Sequence, residues 1–275
     1  ILKPHGIILI TGPTGSGKTT TLFATLSKIS SPKVNIVTLE DPVEYQIPGV
    51  NQVQINPQAG LTFASGLRSF LRQDPNIIMV GEIRDGETAD LAIQASLTGH
   101  LVFSTLHTNS SAGALPRLLD MGAETFLLAS SINAVVAQRV VRKICEDCKH
   151  SFVPPPQVVD DIKRTLGDLA NEKHAKLSDQ EEKDLKEISG TAKFKLFKGK
   201  GCDKCGDSGY KGRVAIFEVM PVTEKIGRLI LERSPAGKIE EQSVEEGMVK
   251  LIQDGYLKVL EGITTIEEIL RVSRE

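Results

Sequence analysis

The stretch Gly12-Pro13-Thr14-Gly15-Ser16-Gly17-Lys18-Thr19 decides how the rest of the chain is read. It fits G-x-x-x-x-G-K-[ST], and it lies between an apolar run at 6–10, read as a buried strand, and a helical stretch at 19–29 with Leu22, Leu26 and Ile29 on one face. Glycines let the backbone wrap closely around phosphates with its N–H groups pointing inward, and the N-terminus of the following helix favours anions. The candidate nucleotide-binding residues are therefore Gly12, Pro13, Thr14, Gly15, Ser16, Gly17, Lys18, Thr19 and Thr20. Lys18 is placed to reach the β- and γ-phosphates of ATP, and Thr19 to ligate Mg²⁺.

Outward from this loop the chain alternates. Residues 34–39 predict a second strand, ending in Glu40-Asp41-Pro42-Val43-Glu44. Residues 62–71 predict a helix and 77–80 a third strand. Residues 85–97 predict a helix with Ala89, Ile93 and Leu97 in register, and 101–105 a fourth strand. The stretches 112–120 and 125–139 complete the alternation. This pattern implies an α/β fold with a mostly parallel sheet covered by helices on both faces. After about Lys143 the composition shifts. Pro154-Pro155-Pro156 reads as a stiff linker, Val158, Ile162, Leu166 and Leu169 form a helical stripe, and Ser178 with Glu181 resembles a capping box. Residues 213–219 predict a strand, and 224–231 and 266–272 predict helices.

Open α/β sheets hold ligands at the carboxyl ends of their strands. Ile77-Ile78-Met79-Val80-Gly81-Glu82 has the form of a Walker B strand, with Gly81 where an aspartate is usual. Glu82 must then polarise water, hold Mg²⁺ through water, or do both. By the same edge rule Glu40 and Glu44 point toward the phosphate site; the alternative is a surface acid turn. His107, just past the fourth strand, is a candidate for γ-phosphate contact, and His100 opens that strand.

Cys145-Glu146-Asp147-Cys148 and Cys202-Asp203-Lys204-Cys205 are two C-x-x-C knuckles. Four thiolates with no open position suit a structural Zn²⁺, with iron–sulfur ligation as the alternative. Gly199, Gly201, Gly206 and Gly209 suit tight turns around the second knuckle. With no secretion signal, this pattern reads as metal binding rather than disulfides. A formal net charge of −2 disfavours a nucleic-acid motor. No apolar run approaches the roughly 18 residues of a membrane span, and the chain opens Ile1-Leu2-Lys3-Pro4 without a leader. A start without Met predicts a fragment of a longer protein.

Four blocks, in this order, resemble the Walker A, Asp-box, Walker B and His-box motifs of the type II secretion and type IV pilus-assembly ATPases: residues 12–19, 40–44, Val80-Gly81-Glu82-Ile83-Arg84-Asp85, and Gly99-His100 through His107. The resemblance runs on through Gln138-Arg139 and both cysteine pairs. It implies a RecA-like P-loop ATPase core at 1–142, a tetracysteine zinc module with a charged helical insertion at 143–215, and a mostly helical C-terminal subdomain at 216–275. In that family the glycine before the Walker B glutamate is normal. The resemblance further implies a homo-hexamer at the cytoplasmic face of the inner membrane, working with membrane-platform and cytoplasmic adaptor proteins, without nucleic acid or direct membrane insertion. Assembly motors carry the tetracysteine module and retraction motors generally lack it, which favours assembly or export. The family's N-terminal domain supplies arginines to the site, so slow turnover is expected of this stretch alone; Arg68, Arg72 and Arg84 are the internal candidates.

These residues point to a motor ATPase hydrolysing ATP to ADP and phosphate. Glu82 is expected to activate water with Glu44 or Glu40 assisting, and His107 to read the γ-phosphate. The competing classes are a nucleotide-dependent switch or scaffold, a zinc-containing nucleic-acid-dependent ATPase and a kinase.

Overall fold

A computed structural model describes residues 3–167, 169 and 195–273. The chain divides into two compact units, Ile1–Gln138 with Glu218–Met248, and Arg139–Phe217 with Val249–Glu275. Residues 218–248 thus group with the first unit, and the last 27 residues from Val249 with the second.

The first unit opens with β1 (Gly6–Thr11), α1 (Lys18–Ile29), β2 (Ile36–Glu40), β3 (Asn51–Gln54) and α2 (Phe63–Phe70). It continues with β4 (Ile77–Val80), α3 (Gly86–Leu97), β5 (Leu101–Leu106), α4 (Ala114–Asp120), α5 (Thr125–Ser131) and β6 (Ile132–Ile144). The sheet order is β3-β2-β4-β5-β1-β6, followed by the later strand β9 (Tyr210–Pro221). The pairings of β1 with β5 and β6, of β2 with β3 and β4, and of β4 with β5 are all parallel. Strand side chains alternate between faces. Ile7 and Leu9 enter one apolar cluster with Phe63, Leu67 and Phe70 of α2 and with α3 and α5. Ile10 enters another with Leu22, Phe23 and Leu26 of α1. Helices therefore cover both faces.

The stretch 125–139, expected as one segment of the alternation, is two elements. Helix α5 stops at Ser131 because the run from Ile132 onward, rich in Val and Ile, pairs with β1 from Ile7↔Ile132 to Thr11↔Ala137. Strand pairing overrides helical spacing here. Strand β3 was not expected: Asn51-Gln52-Val53-Gln54 is polar and half exposed, as an edge strand allows. The unit ends in α7 (Glu224–Leu231) and α8 (Ala236–Glu245).

The second unit contains the antiparallel pair β7 (Lys149–Phe152) and β8 (Leu196–Gly199). Its helices are α6 (Pro156–Leu166), α9 (Leu251–Leu260) and α10 (Ile266–Ser273). The expected proline linker is the start of α6: Pro156 takes its first helical position, where a missing N–H costs nothing. Ile162 and Leu166 of the predicted stripe are buried against Tyr256, Val259 and Ile269, with Val158 and Leu169 packed alongside. The Ser178/Glu181 capping box lies outside the described residues.

Buried Glu268 ties this unit together. It accepts from the Arg142 N–H at 2.9 Å, the Arg142 guanidinium at 2.6 Å, and Arg271 at 3.0 and 3.1 Å. Burial pushes this carboxyl up, but the two arginines and the backbone donor outweigh burial and bring it down to about 2. Its contribution is therefore complete above the ordinary value of 4.5 and fades as pH falls toward 2. Glu268→Gln is expected to destabilise this unit by about 3 kcal/mol at pH 7, and by clearly less at pH 3. Urea unfolding followed by tyrosine fluorescence checks this, since Tyr210 and Tyr256 both lie in the unit. An equal deficit at both pH values would refute it.

Candidate nucleotide site and cysteine cluster

The loop 12–17 leaves the carboxyl end of β1 and runs directly into α1, which starts at Lys18. Gly12, Gly15 and Gly17 have φ of +146°, +79° and +85°, values that side chains disfavour. A Cβ at Gly12 would also fall 2.5 Å from the Gln138 carbonyl oxygen and 2.6 Å from Ser16 Oγ. The first turn of α1 carries neither an acidic residue nor a side-chain cap, so its positive end is left for an external anion. Lys18 Nζ lies across the loop and donates to the Gly12 and Pro13 carbonyls at 2.8 and 3.0 Å. Thr14, Gly15, Thr19 and Thr20 are exposed, whereas Ser16 is buried.

Because β2, β4, β5 and β1 run parallel, their carboxyl ends share one edge of the sheet. That edge carries the loop after β1, Glu82 after β4, His107 after β5, and Glu40 and Asp41 at the end of β2. Gly81 donates to the Leu39 carbonyl at 2.7 Å, and a Cβ there would meet the same oxygen at 3.1 Å. Ile83 N donates to the Thr105 carbonyl at 3.0 Å and Thr105 Oγ1 to the Gly81 carbonyl at 2.7 Å, which fixes the peptides on either side of Glu82.

Glu82 is the enclosed member of a charged group. One carboxylate oxygen pairs with Arg84, and the other lies 3.6 Å from His107 Nε2. Arg84 also reaches Asp41 at 3.5 Å. Its hydrogen bond to Glu82 outweighs partial burial and raises its already high pKa. The Glu82 side chain is 18% exposed, against 57% for Arg84 and 52% for His107, so the guanidinium and the imidazole form the outer rim.

The other candidates have different surroundings. Glu40 is buried, and its Oε1 accepts from Thr38 Oγ1 at 2.5 Å and Gln52 Nε2 at 2.9 Å, an inward role joining β2 to β3. Glu44 is exposed. His100 precedes β5, at the opposite edge from His107, and its Nδ1 lies 2.7 Å from the Ala95 carbonyl at the end of α3. Arg68 pairs with Glu87 of α3, Arg72 is exposed near Ser69, and Asp85 caps α3 by accepting from Thr88 N at 2.8 Å. Gln52 and Gln138 were not singled out as site residues. For Gln138 the signal is a polar side chain within the mostly apolar run 132–141; Gln52 lies in a polar, half-exposed stretch that carries no such signal.

In the second unit Cys145, Cys148, Cys202 and Cys205 converge, with all four sulfurs within 4.8 Å of one another. Three of the separations are 3.9, 3.9 and 3.7 Å. A disulfide requires about 2.05 Å. A tetrahedron of 2.3 Å Zn–S bonds has edges of about 3.8 Å, so the four thiols fit that ion. Burial pushes the Cys205 thiol up, but the N–H groups of Cys202 and Gly209 donating to its sulfur outweigh it and bring it down to about 7. Gly201, Gly206 and Gly209 all have positive φ, and a Cβ at Gly199 would lie 2.1 Å from the Gly209 carbonyl oxygen.

A parallel sheet with a phosphate loop at its carboxyl edge, together with a tetracysteine cluster, defines a RecA-like P-loop ATPase fold with a small tetracysteine module. The chain belongs to the type II/IV secretion system protein family, which it matches over residues 1–271. It is 51% identical over 270 residues to the type IV pilus assembly ATPase PilB of Thermus thermophilus, covering 98% of this chain and 28% of that protein. It is 46% identical over 275 residues to type II secretion system protein E of Dickeya dadantii, covering 100% of this chain and 50% of that protein. The chain thus spans half or less of the length of these curated relatives. Among solved structures, the pilus retraction motor PilT with bound ADP matches with a TM-score of 0.66 at 27% identity, over 98% of this chain and 62% of that one. The Legionella pneumophila ATPase DotB, with a TM-score of 0.64 at 23% identity over 98% of this chain and 60% of that one, shows the same fold. Among the described residues, no helix is long and apolar enough to cross a membrane.

Proposed function

We propose that this chain is the ATP-hydrolysing motor core that powers assembly of a type IV pilus or a type II secretion pseudopilus. The observation that carries this reading is the shared sheet edge, which gathers the phosphate loop and the Arg84-held Glu82. The names of the relatives and the cysteine cluster support assembly or export.

In this reading Lys18 and the amides of 12–20 hold the ATP phosphates. Thr19 ligates Mg²⁺, which when bound neutralises charge on the phosphate oxygens. Glu82 takes the proton of the attacking water as the γ-phosphorus–oxygen bond to ADP breaks. Glu44 or Glu40 assists, and His107 contacts the γ-phosphate. Zn²⁺ on Cys145, Cys148, Cys202 and Cys205 is structural. The full-length protein works as a homo-hexamer at the cytoplasmic face of the inner membrane, with platform and adaptor proteins as partners.

Steady-state ATP hydrolysis per chain across a range of protein concentrations tests the motor. A rate that climbs with concentration is expected, because sites in a ring are completed between subunits. A high rate independent of concentration would overturn the ring motor. Tight ATP binding with negligible hydrolysis at every concentration would be the slow turnover expected of this stretch alone, and the same assay on the full-length protein would then decide between a motor and a nucleotide-dependent switch.

A further inference from the structure

Gln138 is not one of the phosphate-loop residues, yet it touches that loop's environment at three points. The pairing of Thr11 with Ala137 sets Gln138 beside the first loop residue. There its carbonyl oxygen closes off the side of Gly12 that a Cβ would occupy, at 2.5 Å. Its side chain, in a residue only 2% exposed, makes two further bonds. Nε2 donates to the Ser16 carbonyl at 2.8 Å, and Oε1 accepts from Thr21 Oγ1 at 2.8 Å. The start of the loop thus abuts the backbone of Gln138, and its crown and the first turn of α1 are tied to the buried carboxamide of the same residue.

The Ser16 bond has a directional consequence. A trans peptide is planar, with its C=O and N–H pointing in opposite directions. Holding the Ser16 carbonyl on Gln138 therefore turns the Gly17 N–H to the opposite side, away from the sheet. With φ of +85°, Gly17 lacks the steric preferences that would otherwise hold that peptide in place. The Ser16 carbonyl can only accept, so it turns the carboxamide NH₂ toward itself and leaves Oε1 to accept from the Thr21 hydroxyl.

We propose that Gln138 is a positioning residue for phosphate binding, which presets the Ser16–Gly17 peptide so that its N–H meets a nucleotide's phosphates without reorganisation. This assignment rests on the nucleotide reading of residues 12–20. It gives Gln138 a role that neither its type nor a packing function supplies: the donor to Ser16 matters, and side-chain volume alone does not.

The test is the Kd of Mg-ADP and of pyrophosphate, measured by calorimetry, beside the thermal midpoint of the nucleotide-free protein. Gln138→Glu, measured at a pH high enough to keep it a carboxylate, keeps the shape and the acceptor for Thr21 but cannot donate to Ser16. Gln138→Met keeps the volume and loses both bonds. Each is expected to weaken ADP about tenfold, the equivalent of one hydrogen bond to a preorganised loop, and to weaken pyrophosphate by the same factor. The nucleotide-free midpoint is expected to fall by only a few degrees, since each variant leaves one or two buried polar groups unpaired. ADP affinities within twofold of the unaltered protein for both variants would overturn the proposal, as would a loss seen for ADP but not for pyrophosphate. Where neither variant folds, Thr21→Val carries the test: about threefold weaker ADP binding supports the proposal, and unchanged binding overturns it. Lys18→Ala serves as the reference. If it binds ADP as the unaltered protein does, the phosphate-loop reading itself falls and this proposal with it.

Discussion

Glu82→Gln is expected to lower ATP turnover by about a thousandfold while nucleotide stays bound. General-base catalysis contributes roughly 10²–10⁴ in rate, and Glu82 is the enclosed carboxylate where the loop, Arg84, Asp41 and His107 share an edge. The substitution keeps side-chain shape and removes the proton acceptor together with the charge that pairs with Arg84. Arg84 keeps Asp41 as a partner at 3.5 Å, and the Gly81 and Ile83 backbone bonds that position residue 82 are untouched. Rapid quench after one turnover should find ATP, not ADP, on the variant. Turnover within a few fold of the unaltered protein would move the base elsewhere, with Glu44 next to be tested. Glu40, buried under Thr38 and Gln52, would show instead as a loss of stability.

The second large effect is expected at the cysteines. The purified protein should carry about one zinc ion per chain. Cys202→Ser should remove most of it and lower the unfolding midpoint of the second unit by about 10 °C or more, since structural zinc supplies on the order of 10 kcal/mol of folding free energy in small sites. The two knuckles stand 57 residues apart in sequence, so an ion held by both would close a long loop. Elemental analysis and tyrosine fluorescence read the two quantities. A zinc-free protein as stable as the purified one would leave the 3.7–3.9 Å sulfur contacts as a thiol cluster only. An iron signal with visible absorbance would replace zinc by an iron–sulfur centre.

The amino-acid sequence determined what is local. The phosphate loop is eight consecutive residues whose chemistry lies in backbone geometry, so motif and flanking periodicity suffice to place it between β1 and α1. Each knuckle likewise holds its two cysteines on one turn. Apart from the polar edge strand β3, strand and helix alternation through residue 120 follows from apolar spacing, and the edge rule then directs the strand-end residues to one side.

Tertiary structure decided whatever depends on a neighbour across the sheet. Residues 125–139 split into helix and strand because β1 offers pairing to Ile132 onward. Two glutamates of similar sequence promise have different surroundings: Glu40 turns inward to Thr38 and Gln52, whereas Glu82 meets Arg84 and His107. His100 and His107 sit at opposite ends of one strand, seven residues apart, so only one shares the loop's edge. Gln138 gains its place beside Gly12, Ser16 and Thr21 from the register of β6 on β1. Period and motif are carried along the chain, but register and side-chain partners are set by hydrogen bonds and packing between segments more than 100 residues apart in sequence, as with Gln138 and Ser16.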